Sequence, residues 1–409
     1  MRAGLERIHA LLAALGHPER RYRLVQVGGT NGKGSVSVML AAMLKAAGRR
    51  TGLYTSPHLV SFRERIRVDG TPISEDCVAD GVEALATLVA RLDASMFEAT
   101  TALAFDHFAR EEVDVAVLEV GLGGRLDATT VGTPVVTVLT RVDLDHQAVL
   151  GSTLTAIARE KAAILRGGLA LSAAQAPAVA QVVEDHAIRA GMSLLVVGRD
   201  LHVTAIRPER DGQRISCEGP GFRLDDLDLG LLGTFQPENA LLAVAAARHL
   251  DLQEAAIRAG LARVHWPGRF QVIGTRPWLV LDGAHNVAGA RALAGSLRSY
   301  FGGENTTLIV GLSADKDVAG ILAELAPLAD RLIVTAASNP RAAAPTALAA
   351  QLPADRPHAD VASSVVSALA LAAQSPTAVT VVTGSLYLVA DALQHLFGDT
   401  PCPVERGDR

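Results

Sequence analysis

The run Gly29-Thr30-Asn31-Gly32-Lys33-Gly34-Ser35 holds the residue types that cradle phosphate groups. Glycines let a turn curl until its backbone N–H groups point inward. A helix leaving the turn presents its positive N-terminus, and a lysine adds a mobile cation for β- and γ-phosphates. The usual phosphate-loop pattern is G-x-x-x-x-G-K-[ST]. Here Val27 stands at the first glycine and Gly34 separates Lys33 from Ser35, so a glycine-rich turn without a ligand is the alternative reading. The order strand, loop, lysine, helix favours binding of nucleotide phosphates.

Further along, Val113 to Val120 reads as a buried strand carrying Glu119 near its end. Open α/β sheets bind ligands beyond the carboxyl ends of their strands, so Glu119 stands where a magnesium ligand or a water-orienting carboxylate would sit. A second strand, Pro134 to Leu139, runs into T-R-V-D-L-D-H and ends on His146, either a metal ligand or a histidine without function. The turn T-S-P-H-L (Thr55–Leu59) offers a hydroxyl and an imidazole, and reads equally well as structure alone. Glu160 and Lys161 read locally as the solvated face of a helix.

The chain has 38 basic residues, of which only Lys33, Lys45, Lys161 and Lys316 are lysines. Arginine serves as the generic surface cation. A surviving lysine is therefore a candidate for what a guanidinium cannot do: a compact phosphate contact, or an amine open to covalent modification.

The elements that must position these groups follow from pattern. Helices are expected over 4–16, 36–47, 74–93, 97–110, 152–165 and 177–190, with two alanine-rich helices ending near 262. Strands are expected at 24–27 and 51–54, besides those above. Residues 61–72 read as a charged loop with a short strand and turn, and Asp200–Leu229 as a charged, turn-rich stretch. Pro267 and Gly268 mark a domain boundary, so the expected domains are 1–266 and 267–409. Beyond the boundary, strands near 270–274, 278–281, 306–310, 330–334 and 378–382 alternate with helices, the pattern of a smaller α/β sheet. The tail after Pro401 is expected to be loose.

Composition narrows the function classes. With 409 residues, net charge −5 and a fifth of the residues charged, the chain reads as a globular protein without a general nucleic-acid or anionic-membrane surface. No apolar run reaches the roughly 18 to 20 residues of a membrane span. The charged N-terminus does not read as a signal peptide, and Cys77, Cys217 and Cys402 are too scattered for a metal or disulfide framework. A cytoplasmic location is expected.

Six motifs in order are G-T-N-G-K-G-S (29–35), T-S-P-H-L (55–59), F-E-A-T-T (97–101), L-E-V-G-L-G-G-R-L-D-A-T (118–129), E-K-A (160–162) and L-D-G-A-H-N (281–286). The ordered set resembles the folylpolyglutamate synthase/dihydrofolate synthase family of the Mur ligase superfamily, over nearly the whole chain. The resemblance implies an α/β fold, with a P-loop-containing, Mur-ligase-like ATP-binding domain and a smaller Rossmann-like C-terminal domain. It implies ATP-dependent joining of L-glutamate to folate, and to dihydropteroate, through an acyl phosphate.

Residue by residue, the resemblance makes Lys33, Lys161 and His285 catalytic, with Lys161 N6-carboxylated (carbamylated). It gives ATP contacts to Thr30, Asn31, Gly32, Lys33, Gly34, Ser35, Asn239, Arg269 and Asp282. Ser56, Glu119 and His146 would hold Mg2+, and Phe97, Glu98, Thr100, Leu126, Asp127 and Ala128 would line the pterin or folate pocket. The partners implied are ATP, L-glutamate and folate or dihydropteroate, with no nucleic acid or membrane, for a monomer. Thr130, Phe235 and Val287 depart from the family's asparagine, histidine and proline. The chain starts only a few residues before the L-E-R-I-H helix, which weighs against the dihydropteroate activity and leaves no room for the UDP-binding domain of cell-wall ligases. Another Mur-type amide ligase, or a P-loop ATPase or nucleotide-gated binding protein, is the alternative.

Overall fold

The computed structural model describes residues 4–209, 212–353 and 358–398; the tail expected to be loose after Pro401 lies outside them. They fall into two units. One comprises the chain up to Arg207 with Arg214–Leu229 and Pro237–Val264; the other comprises Pro208–Gln213, Gly230–Gln236 and the chain from His265 on.

In the first unit, helix α1 (Glu6–Ala14) buries Ile8, Leu11 and Leu12 at helical spacing. Strand β1 (Arg23–Gly28) is buried from Leu24 to Gly28. After the glycine-rich loop come α2 (Lys33–Ala46), β2 (Thr51–Tyr54), the short β3 (Ile66–Val68) and β4 (Thr71–Pro72), α3 (Glu75–Leu92), α4 (Met96–Arg110) and β5 (Val115–Glu119). Then follow β6 (Val136–Leu139), α5 (Gln147–Leu150), α6 (Leu154–Ala162), β7 (Leu169–Ser172), α7 (Pro177–Arg189) and β8 (Leu194–Val196).

These strands form one sheet in the order β4-β3-β2-β5-β1-β6-β7-β8. From β2 to β8 all neighbours are parallel, so their carboxyl ends share one edge. The parallel strands are valine- and leucine-rich because both faces are covered. The chain leaves β1 on one side to reach β2 and β5, and returns to its other side at β6. That reversal makes the end of β1 a topological switch point, where α/β sheets leave a crevice for ligands.

The stretch Asp200–Leu229 is not turn-rich, as expected, but an antiparallel sheet of β9 (His202–Glu209), β10 (Gly212–Gly219) and β11 (Phe222–Leu229). Its charges hide the strand pattern because they stand on the solvated face: Arg214 of β10 pairs with Asp228 of the neighbouring β11, and Arg207 of β9 reaches past β10 to Asp226 of β11. Helices α8 (Gln236–His249) and α9 (Glu254–Arg263) follow.

The second unit contains β12 (Gln271–Ile273), β13 (Trp278–Asp282), α10 (Val287–Phe301), β14 (Thr306–Val310), α11 (Val318–Leu325), β15 (Arg331–Val334), α12 (Pro345–Ala349), β16 (Asp360–Val361), α13 (Val365–Gln374), β17 (Val379–Thr383) and α14 (Leu386–Phe397). Its sheet runs β12-β13-β17-β14-β15-β16, parallel except for β12. Val280, Leu308, Val310, Val334 and Val381 centre its core. The two-residue β16 was not expected; so short an edge strand carries no readable alternation.

Candidate active site

The glycine-rich loop leaves the buried end of β1, and α2 begins at Lys33, three residues earlier than its apolar pattern suggests. The backbone N–H groups of Lys33, Gly34 and Ser35 therefore belong to the first turn of a 14-residue helix, the end that attracts anions. Gly32 caps it with φ +93°, and a Cβ there would lie 2.5 Å from Asn239 Oδ1, so only glycine fits. The far side of the loop is fixed by Thr30, whose N–H donates to the Arg141 carbonyl at 2.8 Å. Its hydroxyl donates to the Asp143 carbonyl at 3.1 Å and accepts from the Asp143 N–H at 3.0 Å.

Lys33 Nζ donates to the carbonyl oxygens of Thr30 at 3.0 Å and Gly29 at 3.3 Å. Lys161 Nζ donates to that same Gly29 oxygen at 2.8 Å. The local reading of Lys161 as solvated is overturned: it is 4% exposed. Ile157, Ala158, Lys161 and Ala162 form the buried face of α6 at helical spacing, which is the sequence signal that betrays it. Burial, and next the charge of Lys33, lower its ammonium to about 7, against the raising effect of Asp145 and Asp127. The Glu160 carboxylate, by contrast, pairs with Arg125 at 3.0 Å, partly exposed.

Glu119 ends β5, buried at the shared strand edge, and its Oε2 accepts the Ser56 N–H at 3.1 Å. His146 sits beyond β6 in the left-handed region with its side chain 43% exposed, and its N–H donates to Asp145 Oδ1 at 2.8 Å. Among the described residues no group of three or more His, Cys, Asp or Glu gathers to hold a metal. A buried carboxylate beside a serine fits magnesium, which takes few protein oxygens and fills its octahedron with phosphate oxygens and water; the contact of His146 is with Asp145.

In T-S-P-H-L, the buried Arg65 donates from Nε to His58 Nδ1 at 2.8 Å, which places the imidazole proton on Nε2. Burial, then the Arg65 charge, lowers the His58 pKa. This arginine was missed by the sequence reading, although it lies in the charged 61–72 stretch.

The residues matched to the pterin pocket fall on α4 and on the loop after β5. Phe97 lies against Tyr54, ring centroids 6.1 Å apart. Glu98 is buried, accepting from Arg7 Nε at 2.9 Å and from Ser95 in a capping box at the start of α4. Thr100 donates back to the Met96 carbonyl at 2.7 Å. In the loop, buried Asp127 accepts from the Leu122 N–H at 2.9 Å and from the Thr129 hydroxyl at 2.6 Å. Burial raises its pKa against those hydrogen bonds. Ala128 is buried and Leu126 partly so.

In the second unit, Asp282 ends β13, 5% exposed, accepting the N–H groups of Phe270 at 2.7 Å and Ala284 at 2.8 Å. Burial raises its pKa and nearby Arg269 opposes the rise. His285 Nδ1 donates to the Gly283 carbonyl at 2.8 Å. Asn286 caps α10. Within this unit Arg269, Asp282 and His285 thus gather at one strand end.

Residues 27–247 match the model of the Mur ligase middle domain, and 268–386 that of the Mur ligase glutamate ligase domain. The two matched domains, each on a largely parallel sheet, define the class as a Mur ligase. A folylpolyglutamate synthase of Lacticaseibacillus casei is 38% identical over 96% of this chain and 94% of its own. A dihydrofolate synthase/folylpolyglutamate synthase of Mycobacterium tuberculosis is 39% identical over 84% of this chain and 76% of its own. The solved M. tuberculosis folylpolyglutamate synthase complexed with ADP and AMPPCP has a TM-score of 0.92 at 38% identity, covering 98% of this chain and 96% of that one. The chain belongs to the folylpolyglutamate synthase/dihydrofolate synthase family.

Proposed function

We propose that this chain is an ATP-dependent ligase that joins L-glutamate to folate and, in the same site, to dihydropteroate. The observation that carries the reading is the glycine-rich loop at the switch point, with Lys33 and Lys161 both on the Gly29 carbonyl.

A carboxylate is a poor electrophile. In the proposed reaction an acceptor carboxylate oxygen attacks the γ-phosphorus of ATP, ADP leaves, and an acyl phosphate forms. The α-amino group of glutamate then attacks the acyl carbon, phosphate departs and the amine loses a proton. The first-turn N–H groups of α2 and Lys33 hold the phosphates and balance charge as it moves to the acceptor. Ser56, Glu119 and His146 would hold Mg2+, which supplies electrostatic stabilisation of the transferring phosphoryl group. Asn239, Arg269 and Asp282 would contact the nucleotide, and His285 the transferred phosphate.

Lys161 is poised for carbamylation. Its depressed pKa supplies neutral amine near pH 7, whose lone pair attacks carbon dioxide, forms an N–C bond and releases a proton. The resulting carbamate brings anionic oxygens to the loop, suited to a second metal ion. No helix among the described residues is long and apolar enough to cross a membrane, and we place the enzyme, as a monomer, in the cytoplasm.

The test is coupled ADP release with MgATP, L-glutamate and, in parallel, dihydropteroate or a reduced folate monoglutamate, with product mass checked. ADP release should require both co-substrates. Turnover with folate alone would restrict the enzyme to polyglutamylation, and ADP release with neither acceptor nor glutamate would favour a P-loop ATPase.

A further inference from the structure

The loop after β5, which carries Leu126, Asp127 and Ala128, is tied to the strand that carries the phosphate loop by one buried amide. Gln26, in β1 and 1% exposed, spends both amide protons on this loop, donating from Nε2 to Thr129 Oγ1 at 3.1 Å and Thr130 Oγ1 at 2.9 Å. Thr129 passes its own proton to Asp127 Oδ1 at 2.6 Å, and Thr130 to the Gly124 carbonyl at 2.6 Å. The amide oxygen accepts from Arg166 Nη2 at 3.0 Å, and Arg166 Nη1 reaches the Gly132 carbonyl at 2.8 Å. Every proton runs one way, from Arg166 through Gln26 to the two threonines. The Gln26 amide and both threonine hydroxyls are satisfied, while Arg166 Nε finds no partner among the described residues; hydrogen bonds satisfied at the centre of a buried network favour one arrangement of the loop.

On its other side the loop touches the helix of Lys161. A Cβ on Gly124 would lie 2.7 Å from the Glu160 carbonyl, and the Arg125 N–H donates to that carbonyl at 2.9 Å. Gln26 is three residues before Gly29, whose carbonyl holds both lysines.

We propose that Gln26 is a positioning residue that sets the acceptor-side loop relative to the phosphate loop, so that the acceptor carboxylate meets the γ-phosphate in line. The proposal rests on the ligase reading above. It also accounts for Thr130, which stands where the resemblance leads one to expect asparagine: its hydroxyl accepts from Gln26 and donates to Gly124 at once.

Gln26→Glu is the discriminating variant. A carboxylate keeps, and strengthens, the Arg166 contact but cannot donate to either threonine. The expected result is a fall in kcat/KM for the folate acceptor of roughly 10- to 100-fold, the scale of a misplaced reactant, with the KM for MgATP within about twofold. Backbone hydrogen exchange in the unliganded protein should accelerate over residues 121–132 and stay unchanged over 29–35. Parallel losses for acceptor and MgATP, unchanged kinetics, or unchanged exchange over 121–132 would each overturn the proposal. Should Gln26→Glu not fold, Thr130→Val removes one acceptor at equal volume and is read the same way. If the wild type shows no folate-dependent ADP release, the ligase reading itself fails, and the exchange measurement still decides whether Gln26 holds the loop.

Discussion

Lys33 and Lys161, 128 positions apart in the chain, donate to the same carbonyl oxygen, that of Gly29, at 3.3 and 2.8 Å. Two cations on one backbone oxygen repel each other, and the repulsion is part of what lowers the Lys161 pKa.

Lys33→Ala should reduce ligation by on the order of 10²–10³-fold, as expected when one donor to a developing charge is removed. Its thermal midpoint should stay near the wild-type value, because the lysine's bonds to the Gly29 and Thr30 carbonyls stay within the loop. Near-normal turnover would refute the phosphate-loop assignment.

Lys161→Arg should also be inactive despite keeping the charge, since a guanidinium cannot take up carbon dioxide. Native mass spectrometry of the wild type in bicarbonate should show the adduct, lost in the variant. An active Lys161→Arg enzyme would remove the carbamate from the mechanism.

The Lys161 shift has a sign in stability. Its ammonium falls from 10.5 to about 7 on folding. Between those values the unfolded chain binds a proton that the folded chain does not, so this group makes stability rise with pH across the window. In carbon-dioxide-free buffer, the denaturation midpoint of the wild type should gain more from about pH 7 to about pH 9 than that of Lys161→Met. Equal slopes would mean that the lysine is not held neutral.

Gly32→Ala forces a side chain into φ +93° and against Asn239. Strain of this kind costs about 1–3 kcal/mol and falls on the start of α2. Calorimetry should show weakened binding of an ATP analogue; unchanged affinity would show that the loop relaxes.

Glu119→Gln keeps an acceptor for the Ser56 N–H but removes the charge. The magnesium concentration for half-maximal activity should rise at least about tenfold, the scale on which even outer-shell groups act. An unchanged requirement would take Glu119 out of the metal site.

Much of this was legible in the chain because the signals are local. The strands ending at Glu119 and Asp282 each combine a short apolar run with a polar residue at its end, and the glycine-rich loop Gly29–Ser35 directly follows a strand and opens a helix. Lys161 was not legible from its neighbours Arg159 and Glu160, which solvate the other face of the same turn; only the period Ile157, Ala158, Lys161, Ala162 points it inward. The sheet of β9 to β11 was hidden for the converse reason, because arginines and aspartates on an exposed face mask alternation.

The sequence by itself determined most helices and the longer parallel strands, the phosphate loop and the family, since periodicity and motif are properties of neighbours in the chain. Tertiary structure alone decided that Lys161 meets Gly29, that Arg65 holds His58, and that Gln26 ties Thr129 and Thr130 to β1. Those pairs are separated by 132, 7 and more than 100 positions. Apart from Arg65 and His58, no local pattern encodes such partners. They are selected because a buried polar group must find its hydrogen bond wherever the packed sheet brings one.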